Sequence, residues 1–262
     1  MPSLKLPDKS VPGWLTAIPI AHRGLHNSDA DIAENSLSAF SAAILAGLSI
    51  EFDVHLSKDQ QPIVFHDSNL TRMTGYTGRI CDLTAAELEK LQLADSADYI
   101  PHLQTVLAHV DGKVPLVIEL KQSSIGNNAL FEAVWTVLKS YSGPYCLQSF
   151  DPFLLQLARR QAPHVIRGQL GTYNPPPSIP MAKRMMVRHL LLNRLSKPHY
   201  IGYNVKDINR PSLRRVLRGH LPLLAWTVND TESLGKARNF ADNIIFENLP
   251  LPLVKSSFDV TG

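Results

Sequence analysis

The sequence predicts an α/β protein: a (β/α)8 TIM barrel with an antiparallel hairpin and a small insertion after its second strand. Three observations predict it. The chain has 262 residues, close to the roughly 250 that one such barrel uses. Strand-like runs alternate with helical patterns about eight times. The strand-like runs are continuously apolar or β-branched, as parallel strands covered on both faces should be.

The strands are read at Ile18–His22, Ser49–Val54, Leu116–Leu120, Tyr145–Phe150, Val165–Leu170, Tyr200–Val205, Leu223–Val228 and Asn243–Phe246. Between them the helices have legible faces and ends. Leu37, Phe40, Ile44 and Leu48 share one face, with Gly47 near its end. Thr84 and Glu87 form a capping box, with Leu83 and Leu88 as its hydrophobic staple. Pro101 is placed to open a helix with the stripe Leu103, Val106, Leu107 and Val110. Leu130, Val134, Val137 and Leu138 repeat that spacing, and Asp151-Pro152 reads as an N-cap followed by N1.

Pro62–His66 breaks the alternation, because only Ser57–Gln61 separates it from the preceding strand. A parallel return needs a dozen residues or more, so this run must fold back antiparallel. With the turn bracketed by Lys58 and Gln61, His66 is expected opposite Asp53. Residues 1–262 are thus one barrel domain, with 55–113 as a hairpin plus insertion subregion.

A composition of 44% hydrophobic and 19% charged residues excludes a disordered chain and a collagen-like repeat. Two cysteines, Cys81 and Cys146, exclude a disulfide scaffold and a thiolate zinc site. Nothing approaches the ~18 apolar residues of a membrane span. The proline-rich N-terminus with Lys5, Asp8 and Lys9 shows no signal-peptide pattern, so the cytoplasm is the expected compartment.

Charge is uneven. Residues 152–206 carry nine Lys/Arg and no acid, whereas residues 1–151 carry 10 Lys/Arg against 17 Asp/Glu. Within the basic stretch, Met181–Lys197 reads as an amphipathic helix. An ordinary barrel helix with a solvated basic face is the favoured reading, ahead of peripheral contact with an anionic membrane. Asn174-Pro175-Pro176-Pro177 reads as a stiff loop near the rim. Nucleic-acid binding is not expected, since no reader motif accompanies the charge.

Glu51 and Asp53 lie two apart on a strand and point the same way, at the C-terminal end where barrel enzymes place their sites. Glu119 holds the equivalent place on Leu116–Leu120, and Lys121 follows it. Oxygen-only ligands select one hard divalent cation, Mg²⁺ or Ca²⁺. The simpler alternative is ion pairing of these acids with Arg23 and Lys121. His22 and Arg23 end the first strand, and His66 lies on the hairpin. Two imidazoles across a cation suit phosphodiester cleavage, one taking the nucleophile's proton and the other protonating the departing alkoxide. Cys146 is expected to be a small core residue. Asp67 is expected to fix a loop rather than ligate metal, and His26 lies near the site loop. The remaining histidines are read as surface or capped residues.

These residues resemble the glycerophosphodiester phosphodiesterase family. Ala-His-Arg-Gly at 21–24 is similar to its opening motif, and Glu34-Asn35-Ser36 with Ala39-Phe40 to its second. Glu51-Phe52-Asp53-Val54, Ser57-Lys58-Asp59 and Val64-Phe65-His66-Asp67 resemble its acidic strand and hairpin. Ile100-Pro101-His102-Leu103, Ile118-Glu119-Leu120-Lys121, Ser149-Phe150 and Trp226-Thr227-Val228-Asn229 follow in order.

The resemblance implies a metal-dependent hydrolase that takes a small-molecule glycerophosphodiester to glycerol phosphate and an alcohol. On the matching positions, Glu51, Asp53 and Glu119 would hold the cation, and His22 and His66 would act as general acid and base. Arg23 and Lys121 would contact phosphate, with Phe150 and Trp226 walling the glycerol end. Two departures are read: Ala33 stands where Pro is usual, altering only a loop. Phe246 stands where Thr is usual, and is expected to put an apolar ring at the rim. A phospholipase D-like lyase on the same barrel and a catalytically silent phospho-ligand-binding barrel are the alternatives.

Overall fold

The computed structural model describes residues 11–27, 31–121, 125–175, 177, 180–211, 213, 217 and 221–258. Residues 1–10, on which the reading of the N-terminus rests, lie outside these, as do Pro176 and His220.

Among the described residues nine strands form one sheet: β1 (Ile20–Ala21), β2 (Ser49–Leu56), β3 (Pro62–Val64), β4 (Leu116–Leu120), β5 (Tyr145–Ser149), β6 (Ile166–Gly171), β7 (Tyr200–Asn204), β8 (Leu223–Val228) and β9 (Asn243–Phe246). Their order is β1-β9-β8-β7-β6-β5-β4-β2-β3, and β1 also pairs with β2. The eight parallel strands therefore close into the expected barrel, and β3 runs antiparallel on β2 as a branch.

Side-chain alternation builds two layers from the same strands. Ile20, Val117, Cys146, Tyr200, Leu224 and Ile245 meet inside the barrel with Leu15, which comes from the helix Trp14–Ala17. Asn243 donates from Nδ2 to the carbonyls of Leu15 (2.9 Å) and Ile18 (2.7 Å), tying that helix to the barrel floor. The neighbours Phe52, Ile118, Leu147, Ile201 and Ala225 instead face the helix layer. Gly168 makes room for the Tyr200 ring inside the barrel, since a Cβ there would sit 2.1 Å from that ring.

Helix ends follow the sequence in most places. Ser36 caps Leu37–Leu45 by accepting from the Ala39 N–H at 3.1 Å, and Asp151 caps Pro152–Gln161 by accepting from the Phe153 N–H at 2.8 Å. The Glu87 carboxylate accepts from the Thr84 N–H and hydroxyl at 2.7 and 2.8 Å. Pro101 does not open its helix. The Pro101 carbonyl accepts from the Val64 N–H and His102 bridges to Ile63, so this stretch stays extended and the helix begins at Leu103.

The hairpin register differs from expectation by one residue. Val54 pairs with Val64, His55 with Ile63 and Leu56 with Pro62. Ser57 and Gln61 close a three-residue turn, with Gln60 in the left-handed region at φ 60°. The Ser57 hydroxyl accepts from the Gln61 N–H at 2.9 Å, and donates to Asp59 at 2.6 Å. Asp53 is therefore met by Phe65, whose N–H donates to its carbonyl at 3.0 Å, and His66 lies past the paired strand. The insertion that follows has its own small core of Ile63, Phe65, Leu70, Met73, Ile80, Leu88, Leu93 and Ile100.

Candidate active site at the barrel mouth

Strand β2 is buried along its whole length and turns Glu51, Asp53 and His55 to one side. Asp53 is in register with Glu119 on β4, so the two carboxylates stand side by side. Ligand oxygens of Glu51, Asp53 and Glu119 all lie within 4.8 Å of one another, and the three residues are buried. The sequence-derived convergence is thus present.

The expected cations surround it. Lys121 Nζ lies 2.8 Å from Asp53 Oδ1 and 2.8 Å from Glu119 Oε1. Arg23 adopts φ 54°, and its backbone N–H donates to Glu51 Oε2 at 3.1 Å. Its Nε lies 3.5 Å from Asp53 Oδ2, and its Nη1 donates to Glu34 Oε1 at 2.9 Å. Gly24 follows at φ 80°, where a Cβ would stand 2.8 Å from Ala39 Cβ, so the rim turn requires glycine.

The electrostatics of the cluster are unbalanced. Burial, then the charges of Asp53 and Glu119, push the Glu51 carboxyl well above its ordinary range. Burial also raises Glu119, against the pull of Lys121. Burial acts on Asp53 in the same sense, but Lys121, His66 and Arg23 outweigh it and hold Asp53 low. Three buried carboxylates thus share two nearby cations, and two of the three resist ionisation. A hard divalent cation fits this donor set, because it would hold all three ionised.

His22 follows β1, and its Nε2 lies 4.0 Å from Glu51 Oε2. Its Nδ1 lies 2.6 Å from Glu247 Oε2, which fixes a hydrogen bond to that carboxylate. His26 approaches the same oxygen at 3.5 Å. The hydrogen bond from His22 and the nearby His26 ring hold Glu247 well below the usual carboxylate range. His66 is hydrogen-bonded through Nδ1 to Asp67 Oδ1 at 2.6 Å. Arg72 grips Asp67 at 2.6 Å and Glu34 at 2.6 and 3.0 Å, joining the insertion to the Glu34–Arg23 pair. Burial, opposed by Asp53 and reinforced by Lys121 and Arg23, lowers His66 to about 4.

Several participants were not assigned from sequence. Asn35, at φ 56°, donates from Nδ2 to Asp53 Oδ2 at 3.0 Å. Gln148 donates to Glu51 Oε1 at 3.4 Å and accepts from the Tyr200 hydroxyl at 3.2 Å, so a buried polar chain supports Glu51 from below. His55 is not a surface residue: it is buried, and its Nε2–H donates to the His66 carbonyl at 2.9 Å. Its place two residues beyond Asp53 was the available signal. Asp67 does position its loop, and Cys146 is an inert buried thiol, pushed up to about 12 by burial.

Phe246 is a correction. It is buried in the helix-facing layer rather than exposed at the rim. Strand alternation sends Ile245 inward and Phe246 outward, which leaves Glu247 to reach His22.

Beyond Glu119 and Lys121 the mouth opens into a cavity of about 820 Å³, whose lining includes Ser149, Phe150, Gln169, Met186 and Trp226. Phe150 and Trp226 meet edge to face, with centroids 5.4 Å apart and planes at 87°. Among the described residues no helix is long and apolar enough to cross a membrane.

An eight-stranded parallel barrel with an acidic cluster at its C-terminal mouth defines the class: a TIM barrel with a possible cation site. Residues 22–246 match the model of the glycerophosphoryl diester phosphodiesterase family, and the chain belongs to that family. Among relatives, the uncharacterized Bacillus subtilis protein YqiK is 34% identical over 245 residues, covering 88% of this chain and 94% of its own. The structure of an Oleispira antarctica phosphodiesterase in complex with the product sn-glycerol-3-phosphate is 26% identical. It covers 92% of this chain and 97% of its own, with a TM-score of 0.74. The Thermotoga maritima glycerophosphodiester phosphodiesterase structure is 26% identical, covering 88% and 94%, with a TM-score of 0.67.

Proposed function

We propose that this chain hydrolyses glycerophosphodiesters to glycerol phosphate and an alcohol, with one divalent cation, Mg²⁺ or Ca²⁺, held by Glu51, Asp53 and Glu119. The observation that carries the reading is the convergence of those three carboxylates within 4.8 Å, with His22 beside Glu51. A cation bound there supplies positive charge to the non-bridging phosphoryl oxygens and favours attack at phosphorus. The product sn-glycerol-3-phosphate in the Oleispira antarctica relative supports the choice of substrate.

The two histidines divide the proton work. His66, held low by burial, is neutral at pH 7 and takes a proton from the water that attacks phosphorus as the bond to the head-group oxygen breaks. His22 donates its Nδ1–H to Glu247, which orients the ring and leaves Nε2 to protonate the departing alkoxide. Arg23 and Lys121 hold phosphoryl oxygens as charge develops on them. Phe150 and Trp226 wall the glycerol moiety. The cytoplasm is the proposed compartment, supported by the free thiols of Cys81 and Cys146.

The test is release of glycerol phosphate from glycerophosphocholine. Turnover is expected to vanish in EDTA and to return with Mg²⁺ or Ca²⁺. His22→Ala and His66→Ala should each abolish turnover while binding metal within about threefold of the wild type by calorimetry, a loss of at least the 10²–10⁴-fold that acid–base catalysis contributes. Near-wild-type rates in either variant would refute the acid–base assignment. Accumulation of a cyclic phosphate, followed by phosphorus NMR, would instead mark a lyase.

A further inference from the structure

His22, His26 and Glu247 form a second cluster of metal-ligand type, distinct from the three carboxylates. One donor atom from each lies within 4.8 Å of the other two. His22 Nδ1 stands 2.6 Å, and His26 Nε2 3.5 Å, from the same oxygen, Glu247 Oε2. His26 Nε2 is buried and meets no hydrogen-bond partner among the described residues. The division of proton work between His22 and His66 leaves His26 without a task.

Backbone contacts hold the three residues in place. The His22 N–H donates to the Phe246 carbonyl at 2.9 Å, and the Glu247 N–H to the Val228 carbonyl at 3.1 Å. Leu25 donates to the Ala39 carbonyl at 3.0 Å, and Asn27 exchanges backbone hydrogen bonds with Ile32, so both neighbours of His26 are tied down. The side chains of His22, His26 and Glu247 are 14%, 15% and 20% exposed. The cluster is therefore preformed, yet open enough for an ion to enter.

The donor set chooses the ion. Glu51, Asp53 and Glu119 offer only oxygen, which suits Mg²⁺ or Ca²⁺, whereas two imidazole nitrogens and one carboxylate suit Zn²⁺. Zinc takes three protein ligands of this kind and leaves a fourth position to water. Ligands about 2.0–2.1 Å from a tetrahedral ion stand roughly 3.3 Å from one another. The His26 spacing already fits, and the His22 contact has to open by less than about 1 Å.

An ion in this position acts on His22 from behind, since Nε2 faces Glu51 while Nδ1 faces Glu247. To protonate a departing alkoxide, a histidine must begin with a proton on each nitrogen. A metal ion on Nδ1 takes the place of one of them, and that proton passes to solvent. The N–H that remains belongs to a neutral, metal-bound imidazole, a far weaker acid than imidazolium.

We propose that His22, His26 and Glu247 form a second, inhibitory metal site that takes Zn²⁺ and disables the general acid by occupying its Nδ1. The site stands on its own geometry, and its inhibitory effect rests on the phosphodiesterase reading above.

The experiment titrates Zn²⁺ into protein saturated with Mg²⁺, followed by calorimetry and by hydrolysis of glycerophosphocholine. The wild type should bind one zinc per chain while keeping its Mg²⁺, and turnover should fall at least about tenfold at saturation. His26→Ala should weaken zinc binding by about tenfold or more and move the inhibition to the same extent, with zinc-free turnover within about twofold of the wild type. That retained turnover also reports that the variant folds. Glu119→Gln should bind zinc within about threefold of the wild type, because its side chain belongs to the other cluster. Zinc that displaces Mg²⁺, that is lost in Glu119→Gln, or that binds His26→Ala as tightly as the wild type overturns the site. Binding at the histidines with turnover unchanged overturns the inhibition. Absence of turnover on every glycerophosphodiester sinks the phosphodiesterase reading, and the calorimetry of the three proteins then still decides the site.

Discussion

Glu247 Oε2 accepts a 2.6 Å hydrogen bond from His22 Nδ1, bringing together residues 225 apart in the chain. The contact exists because β1 and β9 are barrel neighbours, with Ala21 in register with Phe246. It fixes the ring so that Nε2 faces the carboxylate cluster, 4.0 Å from Glu51. A carboxylate behind a histidine selects the tautomer and orients the ring, and here Glu247 also faces His26 at 3.5 Å.

Replacing Glu247 by Gln keeps the shape and removes the charge. Glu247→Gln is expected to lower kcat by about 10–100-fold, the usual cost of losing a partner that orients a histidine, with KM within about twofold. Steady-state kinetics with parallel metal titration checks this. A rate within twofold of the wild type would make Glu247 a structural contact only.

The strands were legible because each is a short apolar run, and closure followed from their number. Glu51, Asp53 and Glu119 were legible because residues two apart on a strand share a face, and equivalent places on adjacent parallel strands adjoin. Two kinds of feature were not. The hairpin register turned on Gln60 adopting φ 60°, a conformation that Gly or Asn would have announced and Gln does not. Glu247 drew no role because its partner is fixed by barrel closure, not by local spacing. Phe246 was misplaced for the same reason: its direction depends on where β9 begins to alternate.

Arg72 links two arms of the site. It holds Asp67, which holds His66, and it holds Glu34, which holds Arg23. Its own side chain is about half exposed, so the pairs add little to global stability. Arg72→Ala should therefore lower kcat/KM by about 3–10-fold, with the melting temperature within about 2 °C of the wild type, as expected for the loss of weak surface pairs. Arg72→Lys should recover only part of the rate, because a single ammonium does not reproduce the forked contact with Glu34. Full recovery by lysine would show that charge alone matters at this position. Kinetics and calorimetric melts of the three proteins decide it.

His66 gives the metal-free protein a pH-dependent stability whose sign is fixed by its environment. Burial lowers its folded pKa to about 4, Asp53 pulls the other way, and Lys121 and Arg23 reinforce the lowering. The unfolded chain has an ordinary imidazole near pH ~6.5. Above that pH both states are neutral and the residue contributes nothing to the pH dependence. Between about 6.5 and 4 the unfolded chain binds a proton that the folded chain refuses, so stability falls as pH falls. Below about 4 both states are protonated and the loss is complete. With the side chain 31% exposed, solvent screening reduces the effect to on the order of 1–2 kcal/mol. Urea unfolding in EDTA at pH 7.0 and 4.5 should therefore show a smaller drop in His66→Asn than in the wild type, by about that amount. An equal drop in the two proteins would mean that the His66 ring is not desolvated in the folded state, and that its neutrality at pH 7 has another origin.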